Sequence, residues 1–431
     1  MSKEENRKNF SKYVSQNILG MIGFSCYVLA DSYFISIAKG ADGLTALNLV
    51  MPLYSIIFSI GEMIGVGSAI RYAISKIKKD ADADDYFWNA IIWCIMSSMI
   101  FVFAGIFFSS DIMRVLGADE HIVAVGNNYT KIFMCFAPMF MCNYVTNAFV
   151  RNDGAPGIAM SATLFSSLFN IVFDYILMFP MNLGMEGAAL ATALSPIIGM
   201  GICSIHFFSK KSSVRLVVCK PSVRKLVAGS QLGVSAFVGE MSSAVITLAF
   251  NFVILKLTGN VGVAAYGVVA NIAIVTTAVF NGVAQGSQPL ISSCFGRGDK
   301  DGCTQLKRMG YTTAFVLAAV MYSILFIFAE QFVAVFNSEG SEILRLYATE
   351  GVKLYFIGIF FAGINIVGGG AFSATEDAFK AAVVSVARGF VLILGAVFVM
   401  SALFGMTGVW LAYAVAEGIT TFIMLVMALR V

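Results

Sequence analysis

The sequence predicts an all-α polytopic membrane protein, with 12 transmembrane helices in two pseudo-symmetric six-helix bundles related as a parallel repeat. Three observations predict it. Apolar residues make up 58% of the 431 and charged ones only 12%, about half the roughly 25% of a soluble domain. Polar side chains are therefore too few to cover a soluble fold of this length. Apolar runs recur along the whole chain, most at or above the roughly 20 residues that one spanning helix needs. Finally, the chain repeats itself weakly at a shift of 219 residues. The same composition excludes a disordered chain. A net charge of +3 is too weak to imply nucleic acid as a partner.

The apolar spans read, in order, 13–38, 44–74, 86–108, 120–150, 157–180, 187–209, 223–257, 263–295, 306–335, 343–373, 378–402 and 406–430. Several are longer than a bilayer requires, so those helices tilt, kink or protrude. They are continuous rather than alternating, which excludes a membrane barrel. Pro52, Pro138, Pro196 and Pro289 fall inside spans and are expected to kink them. Glycines from Gly61 to Gly67, from Gly282 to Gly286 and at Gly368 to Gly370 permit close helix approach. The polar start, MSKEENRKNFSKY, reads as an inside segment and not as a signal peptide.

Basic residues orient the spans. With the N-terminus inside, the inside segments hold 21 of the 28 Lys and Arg, Arg151 and Arg430 among them, while the outside ends hold 4 and the spans 3. Both termini are thus expected in the cytoplasm and the chain in the cytoplasmic (inner or plasma) membrane. The acidic run Asp80 to Asp85 reads as a solvated inside loop. The basic stretch 210–225, with Pro221, separates an amino-terminal six-helix lobe (1–209) from a carboxy-terminal one (226–431). At the 219-residue shift, Gly43-Leu-Thr-Ala46 falls on Gly262-Val-Ala-Ala265 and Gly67-Ser68 on Gly286-Ser287. Between 43 and 68 five of 26 positions are identical, against about two from composition. Six crossings restore the starting side, so the two halves share one orientation. Transporters commonly have this form, with two bundles flanking a central path.

Ionisable residues inside lipid cost about 2.5–3.5 kcal/mol even on mild scales and need a reason. In the first span Asp31 follows Tyr27 by four residues, and in the fifth Asp174 follows Asn170 by four, so each polar pair shares a helix face. Thr192 lies on the next span. Two carboxylates with an amide and two hydroxyls nearby hold one proton between them or coordinate a small cation. Separate burial of the two acids in one half would be costly. In the second half Glu240 stands alone and reads as a substrate or coupling group. Arg388 and Glu417, on the last two spans, read as a structural ion pair fixing register. Glu62, after Gly61, is expected to snorkel or to meet Arg71. The only histidines, His121 and His206, lie in unrelated places, and no Cys-x-x-Cys pair occurs. Neither a catalytic constellation nor a metal site is suggested, apart from sodium at Asp31 and Asp174.

Together these residues resemble the multidrug and toxic-compound extrusion family of efflux transporters. The likeness covers essentially all spans. It is carried by Asp31 with Gly43-Leu-Thr-Ala-Leu-Asn-Leu-Val-Met-Pro52, and by Arg151-Asn-Asp-Gly-Ala-Pro156 ahead of Asn170-Ile-Val-Phe-Asp174. Gly187-Ala-Ala-Leu-Ala-Thr192, Gly262-Val-Ala-Ala-Tyr-Gly267 and Gly282-Val-Ala-Gln-Gly-Ser-Gln-Pro289 complete it. The resemblance implies an outward pump for organic, often cationic, amphipathic compounds, driven by inward flow of protons or sodium ions. It implies that the coupling ion sits at Asp31, Asn170 and Asp174, with Tyr27 and Thr192 around them. Many members carry a proline early in the first helix, where bending has been linked to protonation. Here Ser15-Gln-Asn-Ile-Leu-Gly20 has none, which leaves Gly20 and Gly23 as the residues that permit bending.

The expected protein is therefore a secondary active antiporter, a monomer and not an enzyme. Its partners are a small organic substrate, H+ or Na+, and membrane lipid, and it needs no cofactor beyond the ion. A flippase for a lipid-linked precursor of the same superfamily is the alternative. It requires a large cavity faced by several cationic residues, which few basic residues within spans can supply.

Overall fold

The first helix, α1 (Lys3–Gly40), runs into α2 (Asp42–Lys78) without a loop. The chain turns at Gly40, at φ 58° and ψ −142°, a conformation that costs glycine little and other residues much. The protein is described by a computed structural model over residues 3–336 and 341–429; Arg430, counted above among the inside residues, lies outside them. Helix α3 (Asp85–Val115) precedes α4, formed by Glu120–Cys135 and Ala137–Asn152 with a bend of 46°. Then come α5 (Pro156–Met178) and α6 (Gly184–Phe207). A second loopless pair follows, α7 (223–258) and α8 (260–296), broken at Gly259 with φ 69° and ψ −157°. Helix α9 (Lys300–Ile327), α10 (Glu342–Ala374), α11 (378–404) and α12 (406–429) complete the order, with Gly405 separating the last two. Among the described residues, 12 helices thus cross, in two six-helix bundles.

The repeat is written in the backbone. Gly40 and Gly259 lie 219 residues apart and share one unusual conformation. Around them Gly43 packs on Ile35 and Lys39, and Gly262 on Ile254 and Thr258, again at the same shift. Only Pro138 coincides with a break, at the start of the second part of α4; the backbone stays helical through Pro52, Pro196 and Pro289.

Each bundle has its own aromatic core. Phe133, Phe140 and Phe149 fill the first; Phe250, Phe280, Phe356 and Trp410 fill the second. Large apolar side chains such as Ile100 (70% exposed) and Phe422 (66% exposed) point outward, as a lipid-facing surface requires. Because lipid is as apolar as the core, helices associate through close packing. The clearest instance joins the bundles: a Cβ at Gly67 would stand 2.1 Å from the carbonyl oxygen of Gly229.

Several contacts between the bundles gather at the end that bears the basic loops. Glu376 pairs with Arg71 and, at 3.5 Å, with Lys78. Asn6 donates to Gln305 at 3.2 Å. Ile77 packs on Gly296, Val14 on Gly286 and Ile18 on Gly282. The acidic run is not simply solvated: Asp84 holds Lys76 at 2.6 Å and Asp85 holds Lys225, pinning the start of α7. The connection before α7 is strapped to the first bundle, Ser213 donating its N–H to Asp153 at 2.9 Å and Ser222 to Asn89 at 2.7 Å. Asp153 also lies 2.8 Å from His206.

Candidate functional site

Within the first bundle α1 packs against α5, and α5 against α6. The fit depends on small residues: Gly23 faces Leu164, Gly187 faces the backbone at Leu177, and Ser166 donates to the Ser195 carbonyl at 2.7 Å. This packing brings Asp31, Asn170, Asp174 and Thr192 into the interior. Asp31 is 6% exposed, Asp174 and Asn170 not at all, and Thr192 1%. The Asn170 amide, turned to satisfy both neighbours, donates to Asp174 Oδ2 at 3.1 Å and accepts from the Thr192 hydroxyl at 3.2 Å. One oxygen of each acid, Asp31 Oδ1 and Asp174 Oδ1, is buried without a hydrogen-bond partner among the described residues. No hydrogen bond joins Asp31 to Asp174, or either acid to Tyr27, among the described residues, and the three lie near enough to interact through charge.

Two residues that sequence reasoning passed over join this group. The hydroxyls of Tyr54 and Tyr129 hydrogen-bond to each other, and both lie within the field of Asp31 and Asp174. A tyrosine within a span is a readable polar signal, but its partner on another helix is not.

A cleft with about 1010 Å³ of empty space, counting the part open to the outside, is walled almost wholly by the first bundle, with Glu240 and Gln285 of the second at its edge. A second chamber of about 620 Å³ shares Glu62, Glu240 and Gln285 with it. Tyr27, Phe24, Phe58 and Tyr144 give the cleft flat apolar walls. Glu240 lines both chambers and has no hydrogen bond or ion pair among the described residues. Glu62 does not meet Arg71, which pairs with Glu376 instead. It is buried and accepts from Gln285 at 3.2 Å, across the bundle interface. Arg151 is not a loop residue either. It is buried at the end of α4 and donates to Gln285 at 2.7 Å, so that Gln285 links an acid and a base. The sequence holds Gln285 and Arg151 134 positions apart, and no periodicity links them.

Arg388 stands in a π-helical turn, Ala387–Val391, and reaches Glu417 with Nη2–Oε1 at 2.6 Å. Glu417 also accepts from Asn365 at 2.7 Å, and Asn365 in turn accepts from Thr421 at 3.0 Å. Unlike Asp31 and Asp174, this carboxylate is fully engaged.

A family model described as MatE matches residues 17–176 and 236–399, two stretches that begin 219 residues apart. The chain is 26% identical over 410 residues to the multidrug export protein MepA of Staphylococcus saprophyticus subsp. saprophyticus, covering 93% of this chain and 89% of that one. Against the MepA of Staphylococcus aureus the identity is 27% over 414 residues, with the same coverage. Among solved structures, an outward-facing conformation of a multidrug resistance MATE family transporter of the MOP superfamily superposes with a TM-score of 0.92. It has 20% identity, and 99% of this chain and 96% of that one are covered. That likeness establishes the fold.

Proposed function

The chain belongs to the MATE family of efflux transporters, and on that premise we propose that it is a secondary active antiporter exchanging organic, often cationic, compounds for H+ or Na+. One observation carries the proposal: Asp31 and Asp174, both buried in the first bundle, each keep one carboxylate oxygen without a hydrogen-bond partner among the described residues. A buried acid without a partner is expensive, and a proton or sodium ion removes the cost. Asn170, itself held by Thr192, holds Asp174 for it, and Tyr27, one turn before Asp31 on α1, lines the cleft. Occupancy neutralises or screens the acids and changes how α1 packs on α5. The difference in stability between occupied and empty states is what moves the bundles.

The moving units are residues 1–209 and 226–431, joined by 210–225, in the cytoplasmic membrane with both termini inside. The cleft suits flat amphipathic cations: its aromatic walls supply stacking and Glu240 supplies a free carboxylate. A flippase for a lipid-linked anion is less well supported. Arg151 of the cleft and Arg388 of the second chamber are already held by Gln285 and Glu417.

The test uses purified monomer in proteoliposomes loaded with a fluorescent organic cation. Either an imposed pH gradient in sodium-free buffer or a sodium gradient drives wild-type export. Asp31→Asn and Asp174→Asn each abolish it while leaving the protein monodisperse. Gradient-driven export that survives both substitutions sinks the coupling assignment.

A further inference from the structure

A second groove opens at the basic end, with about 990 Å³ of empty space, counting the part open to the surroundings. One wall is the start of α1, from the first bundle; the other is the start of α9, from the second. Both helices begin at the basic end and run the same way. Their register is fixed where Asn6 donates to Gln305 at 3.2 Å and Gln305 donates to the Lys3 carbonyl at 3.0 Å.

The lining is graded with depth. Arg7 and Arg308 stand at the mouth, the Ser11 and Thr312 hydroxyls follow one turn deeper, and Val14, Ile18 and Leu317 form the inner wall. From Arg7 to Ile18 the helix advances roughly 16 Å, enough to cross the headgroup layer and enter the hydrocarbon. Neither guanidinium has an ion pair or hydrogen bond among the described residues. At the same end Arg71, Lys76 and Lys225 each hold a carboxylate. Two free forked cations above hydroxyl donors match a phosphodiester, and the apolar wall beneath matches an acyl chain.

We infer that this groove binds one anionic phospholipid from the leaflet at the basic end, with its phosphate between Arg7 and Arg308. A zwitterionic lipid brings its own cation to the same place and is disfavoured. Because α1 buries Phe10 and Val14 in the core of the second bundle, the lipid lies on the seam and braces the closed basic end. The inference rests on membrane placement alone and stands whether or not Asp31 and Asp174 carry the coupling ion.

Native mass spectrometry of the full chain, released from detergent with phosphatidylglycerol, phosphatidylcholine or glycerol phosphate, tests it. One phosphatidylglycerol is expected to stay bound, well above phosphatidylcholine, with glycerol phosphate lost. The Arg7→Gln/Arg308→Gln pair lowers that retention roughly tenfold or more, on the scale of two basic contacts to an anionic lipid. Lys210→Gln/Lys211→Gln, with the same charge change on the connection between bundles, leaves it unaltered. Leu317→Trp fills the groove and excludes the lipid with both arginines intact. Equal retention of the two lipids overturns the inference, as does retention surviving both the arginine pair and Leu317→Trp. Retention of glycerol phosphate at the level of the lipid makes this an anion site only and overturns it too.

Discussion

Asp174 and Glu417 are both almost wholly buried acids, yet one keeps a bare oxygen while the other is hydrogen-bonded on both. That difference separates a group free to take an ion from one that holds the fold. Glu417→Leu strands Arg388 and is expected to destabilise the protein by about 3 kcal/mol or more, whereas adding Arg388→Met recovers most of the loss. Thermal melts in detergent decide: a double variant no more stable than the single one removes the structural reading of the pair. Asn170→Leu takes away the one hydrogen bond to Asp174 Oδ2 and is expected to slow export while preserving the melting temperature. Slowing should be greatest when the driving gradient is weakest, because a poorly held acid binds its ion less well. The acids themselves were legible in the sequence because charge inside an apolar span is conspicuous. Gln285 was not. A neutral amide carries no such signal, and its meaning comes from Glu62 and Arg151, brought to it by helices distant in sequence.

At the scale of elements, the loopless turns at Gly40 and Gly259 fix how each bundle begins. Their φ near +60° with ψ near −150° costs a residue with a Cβ about 1–3 kcal/mol. Gly40→Ala and Gly259→Ala should therefore lower the melting temperature by similar amounts, as befits equivalent positions of a repeat. A loss at one site only would mean that the two turns are not equivalent. Helix existence and order were readable from apolar length, and the repeat from its glycines. The start of α1 was not: charges from Lys3 to Lys12 disguise a helix whose buried Asn6, Phe10 and Val14 follow one another at four-residue spacing. That stripe fits the second bundle, a partner that a reading of the first span alone does not supply. The helices continue through Pro52, Pro196 and Pro289, whereas Pro138 marks the start of the second part of α4, because a membrane helix can re-satisfy the groups a proline frees.

At the scale of the whole molecule, two bundles closed at one end must be able to open there, so the seam has to be weak enough to part. Its apolar portion combines glycine against backbone, as at Gly67, with the Phe10 and Val14 side chains of α1. Its polar portion centres on Glu376, held by Arg71 and Lys78. Partly exposed pairs of this kind contribute up to about 1 kcal/mol each. Removing the charge of Glu376 is therefore expected to shift the balance between closed and open basic ends by roughly tenfold, since each 1.4 kcal/mol is a factor of ten. Spin labels at Lys79→Cys on the first bundle and Lys300→Cys on the second, in a cysteine-free background, report the separation directly. Glu376→Gln should populate a longer distance, Glu376→Asp should largely restore the shorter one, and high salt should act on wild type as Glu376→Gln does. A distance distribution indifferent to both substitution and salt would place the resistance to opening in the glycine seam. Gly67→Ala, which forces a methyl group against the Gly229 carbonyl, should then be the change that parts the bundles.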